Sequence, residues 1–153
     1  RPELAPHMGE WVWGARGWWY RYSDGSYPAG AAVMIAGQIY RFDAEGYMRV
    51  GWVFERGAWY FHQPSGAQAT GWILDGVSWY YLAPGTGAMV TGWLQEGGSW
   101  YYLSETGGAM VTGWSKQGPS WYYLTPGSGT MATGWVLSGV TWYRFSESGQ
   151  WVE

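Results

Sequence analysis

The stretch Gly71-Trp72-Ile73-Leu74-Asp75-Gly76-Val77-Ser78-Trp79-Tyr80-Tyr81-Leu82 sets two short aromatic and branched runs around one Asp-Gly dipeptide. Asp-Gly is a strong hairpin signal, because a two-residue type I′ turn needs positive φ at both central positions. A turn there predicts two antiparallel strands with Leu74 opposite Val77, Ile73 opposite Ser78 and Trp72 opposite Trp79. The two tryptophans then stand with Cβ atoms about 5 Å apart. Side-chain alternation adds Tyr81 to their face and sends Ile73, Tyr80 and Leu82 to the other.

The same pattern extends in both directions from this hairpin. Gly-Trp pairs recur at Trp52, Trp72, Trp93, Trp114 and Trp135, in steps of 20, 21, 21 and 21 residues. A second tryptophan follows each by seven residues, at Trp59, Trp79, Trp100, Trp121 and Trp142. A fixed period of this length marks a repeat array. The equivalent turns hold Glu96-Gly97, Gln117-Gly118 and Ser138-Gly139, while the unit at Glu55-Arg56 has its Gly57 one step late. Loops rich in Pro, Gly, Ser and Thr follow the hairpins. A methionine then precedes the next Gly-Trp at Met48, Met89, Met110 and Met131, with Gln68 breaking the series. One such hairpin is marginal in water, so stacking of hairpins must bury the aromatic faces. The expected fold is all-β, a repeat β-solenoid of stacked hairpins.

The ends of the array decay. Ala32 and Ile39 stand where tryptophans are expected, and Trp11, Trp13, Trp18 and Trp19 leave the register of the first unit ambiguous. Arg144 replaces the second tyrosine of the last unit, and Trp151 falls about where a methionine is due. The reading is five regular hairpins and two degenerate ones. Residues 1–8 are expected to be a linker or expression remnant, 9–50 degenerate repeats and 51–153 regular repeats.

Composition narrows the function. Aromatic residues make up 21% of the 153, against 12% charged, with a net charge of −3 and no cysteine. That balance argues against disorder, and no basic stripe favours nucleic acid. No apolar run is long enough to cross a membrane as a helix. Disulfides and cysteine metal sites are excluded, and no cofactor motif is present. His7 in the tail and His62 beside Gln63-Pro64 read as solvated loop residues. The carboxylates Glu55, Asp75 and Glu96 fall one per repeat in turns rather than converging as a glycosidase pair would. No enzyme is expected from this chain itself.

Aromatic residues kept in register, unit after unit, suggest a row of similar binding sites, with a solenoid core as the competing reading. The candidate site residues are Trp52, Trp59, Trp72, Trp79, Trp93, Trp100, Trp114, Trp121, Trp135 and Trp142. Tyr81, Tyr102 and Tyr123 are chosen as third rings, and Met89, Met110 and Met131 as further walls or as packing. Tyr80, Tyr101 and Tyr122, on the opposite hairpin face, are assigned to packing; sequence leaves the two tyrosine sets exchangeable. Three or four sites are expected, and Tyr40, in a degenerate unit, is expected to leave their number unchanged.

Gly92-Trp93 through Trp100-Tyr101-Tyr102 to Met110-Val111-Thr112-Gly113-Trp114 resembles the choline-binding, or cell-wall-binding, repeats of Gram-positive surface proteins and phage lysins. The resemblance covers 51–145 well and 9–50 loosely. It implies choline sites between neighbouring hairpins and attachment to choline or phosphocholine on teichoic acids; aromatic faces suit this quaternary ammonium, attracting it through their quadrupole and offering apolar contact to its methyl groups. It also implies a non-catalytic module anchoring a partner domain, often a peptidoglycan hydrolase, in a secreted, wall-associated or phage-encoded protein. The second reading is a glycan-binding repeat domain of the glucan-binding or clostridial-toxin kind; a sugar site wants polar side chains around one stacking ring. A third is an enzyme or purely structural array. Absent asparagine and the single Lys116 depart from streptococcal examples and leave the source organism open. Oligomeric state is open too, a dimer included.

Overall fold

The computed structural model describes Glu3–Leu4 and residues 8–153. It is all-β, with fifteen strands among the described residues. Fourteen of them form seven hairpins: β2–β3 (Gly9–Gly14, Gly17–Tyr22), β4–β5 (Ala31–Ile35, Gln38–Phe42), β6–β7 (Gly51–Glu55, Ala58–His62), β8–β9 (Gly71–Asp75, Ser78–Leu82), β10–β11 (Gly92–Glu96, Ser99–Leu103), β12–β13 (Gly113–Gln117, Ser120–Leu124) and β14–β15 (Gly134–Ser138, Thr141–Phe145). Within the expected linker, β1 (Glu3–Leu4) pairs in parallel with β4. Residues 1–2 and 5–7 of that segment, His7 included, lie outside the described residues.

The register differs from the sequence expectation by two residues. Trp93 stands opposite Tyr102, Gln95 opposite Trp100 and Glu96 opposite Ser99, which makes Gly97-Gly98 the turn. Likewise Gln117 pairs with Ser120 around Gly118-Pro119, and Ser138 with Thr141 around Gly139-Val140. The glycines at 76, 118 and 139 carry φ of +63°, +61° and +65°, and the residues after them do not share it. This is the type II′ pattern, with glycine at the first central position. Conformational strain decides it. With Asp-Gly or Gln-Gly in the turn, Asp75 or Gln117 would take the left-handed backbone; moved one step on, only glycine does. Gly57 is therefore in place rather than late, at the second position of a turn whose first residue, Arg56, has φ +52°. A two-residue shift of partner keeps every side chain on its face.

The loops close the repeats. Met110 bridges back to Leu103 of its own hairpin, and its N–H donates to the carbonyl of Trp79 in the hairpin before, at 2.8 Å. Met131 and Trp151 do the same to Trp100 and Trp121, Met89 to Trp59, Gln68 to Ile39 and Met48 to Trp18. The one-residue difference in repeat length is absorbed inside the loop. Gly87, Gly108 and Gly129 donate to the carbonyl four residues back, whereas Gly46, Gly66 and Gly149 donate three back. From the second hairpin onward the last residue of the second strand is deeply buried: Phe42, His62, Leu82, Leu103, Leu124 and Phe145. His62 was read from sequence as a solvated loop residue; it is fully buried in β7 at the position leucine holds elsewhere.

The chain divides into two compact units, one comprising Arg1–Gly71 and Leu82–Met89, the other Trp72–Tyr81 and Val90–Glu153.

Candidate functional site: aromatic boxes between successive hairpins

In the second unit, three tryptophan pairs meet the next hairpin in the same way. Trp72 and Trp79 face Tyr101 and Met110 around a cavity of about 290 Å³. The Trp72 and Tyr101 rings are 4.9 Å apart, nearly edge to face. Trp93 repeats this with Trp100 at 6.4 Å and Tyr122 at 4.8 Å, and Met131 is tied to Trp100 by its backbone. Trp114 and Trp121 face Tyr143 and Trp151 around a further 290 Å³, so Trp151 makes a fourth ring where methionine stands in the other boxes.

The third ring of each box is thus the first tyrosine of the following hairpin. Tyr81 and Tyr102 instead turn inward, both 6% exposed, and set their edges against Trp72 and Trp93 of their own hairpins at 5.1 and 5.0 Å. Tyr123 does the same to Trp114 at 5.4 Å. The cause is the stacking: a hairpin shows its tryptophan face to the unit after it and its other face, carrying Tyr101 or Tyr122, to the unit before.

Two features hold the boxes open and oriented. The indole N–H of Trp72 donates to Glu96 Oε1, and that of Trp114 to Ser138 Oγ, each at 3.4 Å. These residues at the strand ends of the next hairpin satisfy the only polar atom of the ring and leave its π-face for a ligand; sequence reasoning gave Glu96 a turn role alone. The methionine wall is clamped from behind. A Cβ on Gly129 would lie 2.4 Å from the sulfur of Met110, and one on Gly149 2.3 Å from that of Met131. The outer edge is open to solvent, with Trp79, Trp100 and Trp121 each 40 or 41% exposed. Trp135 and Trp142 have no following hairpin in this chain and are 57 and 59% exposed. Trp135 stands opposite Arg144.

The first unit holds a similar arrangement of rings at Trp11, which the sequence reading did not assign to the site. Trp11 lies 4.9 Å from Tyr40 and 5.0 Å from Tyr20, and Met48 bonds to the carbonyl of Trp18 as Met110 does to Trp79. Pairing of Trp11 with Tyr20 and Trp13 with Trp18 puts all four rings on one face of β2–β3. The signal was present: Trp11 and Trp18 are seven residues apart, and Tyr40 follows Trp11 by 29, as Tyr101 follows Trp72. Trp52 and Trp59 also lie 6.4 Å apart, with Met89 bonded to Trp59.

One position in the first unit departs from all of these. Between β4–β5 and β6–β7, Ala32 and Ile39 replace the tryptophans and Gln68 replaces methionine. Arg41, in the place of the second tyrosine, turns its guanidinium onto Tyr60 at 3.9 Å. It is buried, and donates to Glu55 Oε2 at 3.3 Å, to His62 Nε2 at 3.1 Å and to Gln68 Oε1. Because His62 Nε2 accepts from Arg41, its Nδ1–H donates to the Gly66 carbonyl, 2.8 Å away. Burial, with Arg41 beside it, holds the His62 pKa below the ordinary histidine value despite the opposing Gly66 bond.

Residues 50–92 match a family model described as a choline-binding repeat, and 91–110 and 112–131 one described as a putative cell wall binding repeat. The chain belongs to the choline-binding repeat family. Choline binding protein F from Streptococcus pneumoniae, solved in the presence of a peptidoglycan analogue, is 36% identical over 95% of this chain, with a TM-score of 0.88. CbpJ from the same organism is 37% identical over 95%, also at 0.88. In both cases this chain spans 52% of the other, about half its length. The modular autolysin LytC from S. pneumoniae is 31% identical over 98% of this chain, which spans 33% of it, at 0.74. No curated protein matches. The fold class is that of the choline-binding repeat solenoids.

Proposed function

We propose that this chain is a non-catalytic module that binds choline, or phosphocholine on teichoic acids, in its aromatic boxes and so holds a protein at a bacterial wall. The observation that carries this is the recurrence of one box, two tryptophans, a tyrosine and a methionine or fourth ring, open at one edge and walled mainly by apolar surface. A trimethylammonium has no strong hydrogen bond to give, and such a box offers it π-faces and methyl contact without any. Each ring contributes roughly 0.5–1 kcal/mol when exposed and about 2 when desolvated. Three rings then give on the order of 4–6 kcal/mol, near-millimolar affinity per site. Display of the ligand along a polymer raises the overall affinity by roughly 10²–10⁴.

The boxes at Trp11, Trp72, Trp93 and Trp114, with Trp52–Trp59 as a further candidate, lead us to expect four or five cholines per chain. Calorimetric titration of the chain with choline tests it, read with tryptophan emission and melting temperature, which rises when a ligand binds only the folded state. Tyr40→Ala is expected to lower the stoichiometry by one. A single site per chain, or no tighter hold on choline-coated resin than on free choline, refutes the array.

A further inference from the structure

The polar pocket between β4–β5 and β6–β7 is built for something other than a quaternary ammonium. Its cavity of about 700 Å³ is more than twice that of an aromatic box. The walls that hold choline's methyl groups elsewhere are gone, since Ala32 and Ile39 bring no ring. A cation entering here would meet the Arg41 guanidinium already seated on Tyr60, so like charge and lost π-surface both exclude it.

What remains is an apolar wall at Ile39, one aromatic ring covered by Arg41, and a set of planar polar groups: Arg41, Glu55 and Gln68, with Arg56 at the rim. These groups are fixed rather than loose. Gln68 accepts from Arg41, reaches the Thr86 carbonyl with Nε2 at 3.4 Å, and is pressed by Gly87, whose added Cβ would lie 2.2 Å from that nitrogen. The bonds of Arg41 to Glu55, His62 and Gln68 use Nε and Nη1, not Nη2. Donors and acceptors of both charge signs stand side by side, an arrangement that suits vicinal hydroxyls, which donate and accept at once. A phosphate or carboxylate is disfavoured by the Glu55 carboxylate at the same spot. The geometry points to a binding site for a neutral carbohydrate, a sugar or short run of a glycan chain, laid against Ile39 and the Arg41–Tyr60 stack with its hydroxyls on Arg41, Glu55 and Gln68. The site is independent of the aromatic boxes and does not require them to bind choline.

The test is titration of the full chain with N,N′-diacetylchitobiose, maltose and inorganic phosphate, with and without saturating choline, followed by saturation-transfer NMR and calorimetry. We expect at least one of the two glycans to bind with the same affinity in both conditions. Ala32→Trp fills the cavity with the residue the regular units use, and Gln68→Met removes the amide while installing their methionine. Each is expected to weaken the glycan by about tenfold or more, as befits a site built around its hydrogen bonds, without reducing choline stoichiometry. Absence of glycan binding at tens of millimolar, glycan binding that survives both substitutions, or binding of phosphate alone would each overturn the assignment.

Discussion

The aromatic box around Trp93 and the polar pocket around Arg41 occupy the same place in their repeats, yet they solve opposite problems. At Trp93, rings contribute the surface. At Arg41 the rings are deleted, and the chain supplies its own buried cation, which must then be matched by Glu55, His62 and Gln68 because a buried charge without partners costs several kcal/mol. The backbone stitch is unchanged: Gln68 bonds to Ile39 as Met131 does to Trp100. A repeat scaffold of this kind separates the hydrogen bonds that hold hairpins in step from the side chains that decide what fits between them.

The largest expected effect is on the aromatic side of the comparison. Trp93→Ala removes contacts to Tyr102 and Tyr122 and should cost about 3–5 kcal/mol by chemical denaturation, with one choline site lost. Ala32→Trp, by contrast, should be tolerated; a cost equal to that of Trp93→Ala would erase the distinction. Next comes the clamp. Gly129→Ala meets both φ +77° and the sulfur of Met110, so about 1–3 kcal/mol of destabilisation is expected. It should also weaken choline at the box of Trp72 and Trp79, a site in which Gly129 itself makes no wall.

A smaller effect separates the two regions by pH. The folded pKa of His62 is depressed, so the fold favours the neutral ring. Its contribution is fully present above the unfolded value of about 6.5 and is lost as pH falls from there toward the folded pKa. Melting temperature should therefore drop on acidification below about pH 6.5, and His62→Leu, the residue of the regular units, should remove that part of the slope. The smallest effect belongs to the turns. Arg56→Gly relieves a left-handed arginine and should stabilise by about 0.5–1 kcal/mol, whereas Asp75→Gly, which relieves nothing in its turn, should not.

The hairpins, their number and their faces were legible in the sequence because the aromatic period of two survives a two-residue error in register. The turn itself was misplaced because Asp-Gly suits type I′, while strain placed glycine first; Pro119, which cannot take positive φ, fits only the second position that the structure gives it. The third ring of each box was not legible. Which faces of consecutive hairpins meet is set by the loop, and Tyr101 and Tyr102 look alike to a strand. The box at Trp11 was hidden by its neighbours Trp13 and Trp19, and by Glu10 where the regular units have glycine. His62 misled because its partner, Arg41, is 21 residues away.

The loops that differ by one residue have a consequence for how such a chain changes over generations. Because Gly66 closes its loop three residues back and Gly87 four, while Gln68 and Met89 reach the preceding hairpin by the same bond, a single-residue insertion stops at the loop and is not passed on. Whole repeats could then be duplicated, lost or exchanged at a seam without resetting their neighbours, and the lining can differ from one seam to the next, as it does where Arg41 of one repeat meets Gln68 of the following one.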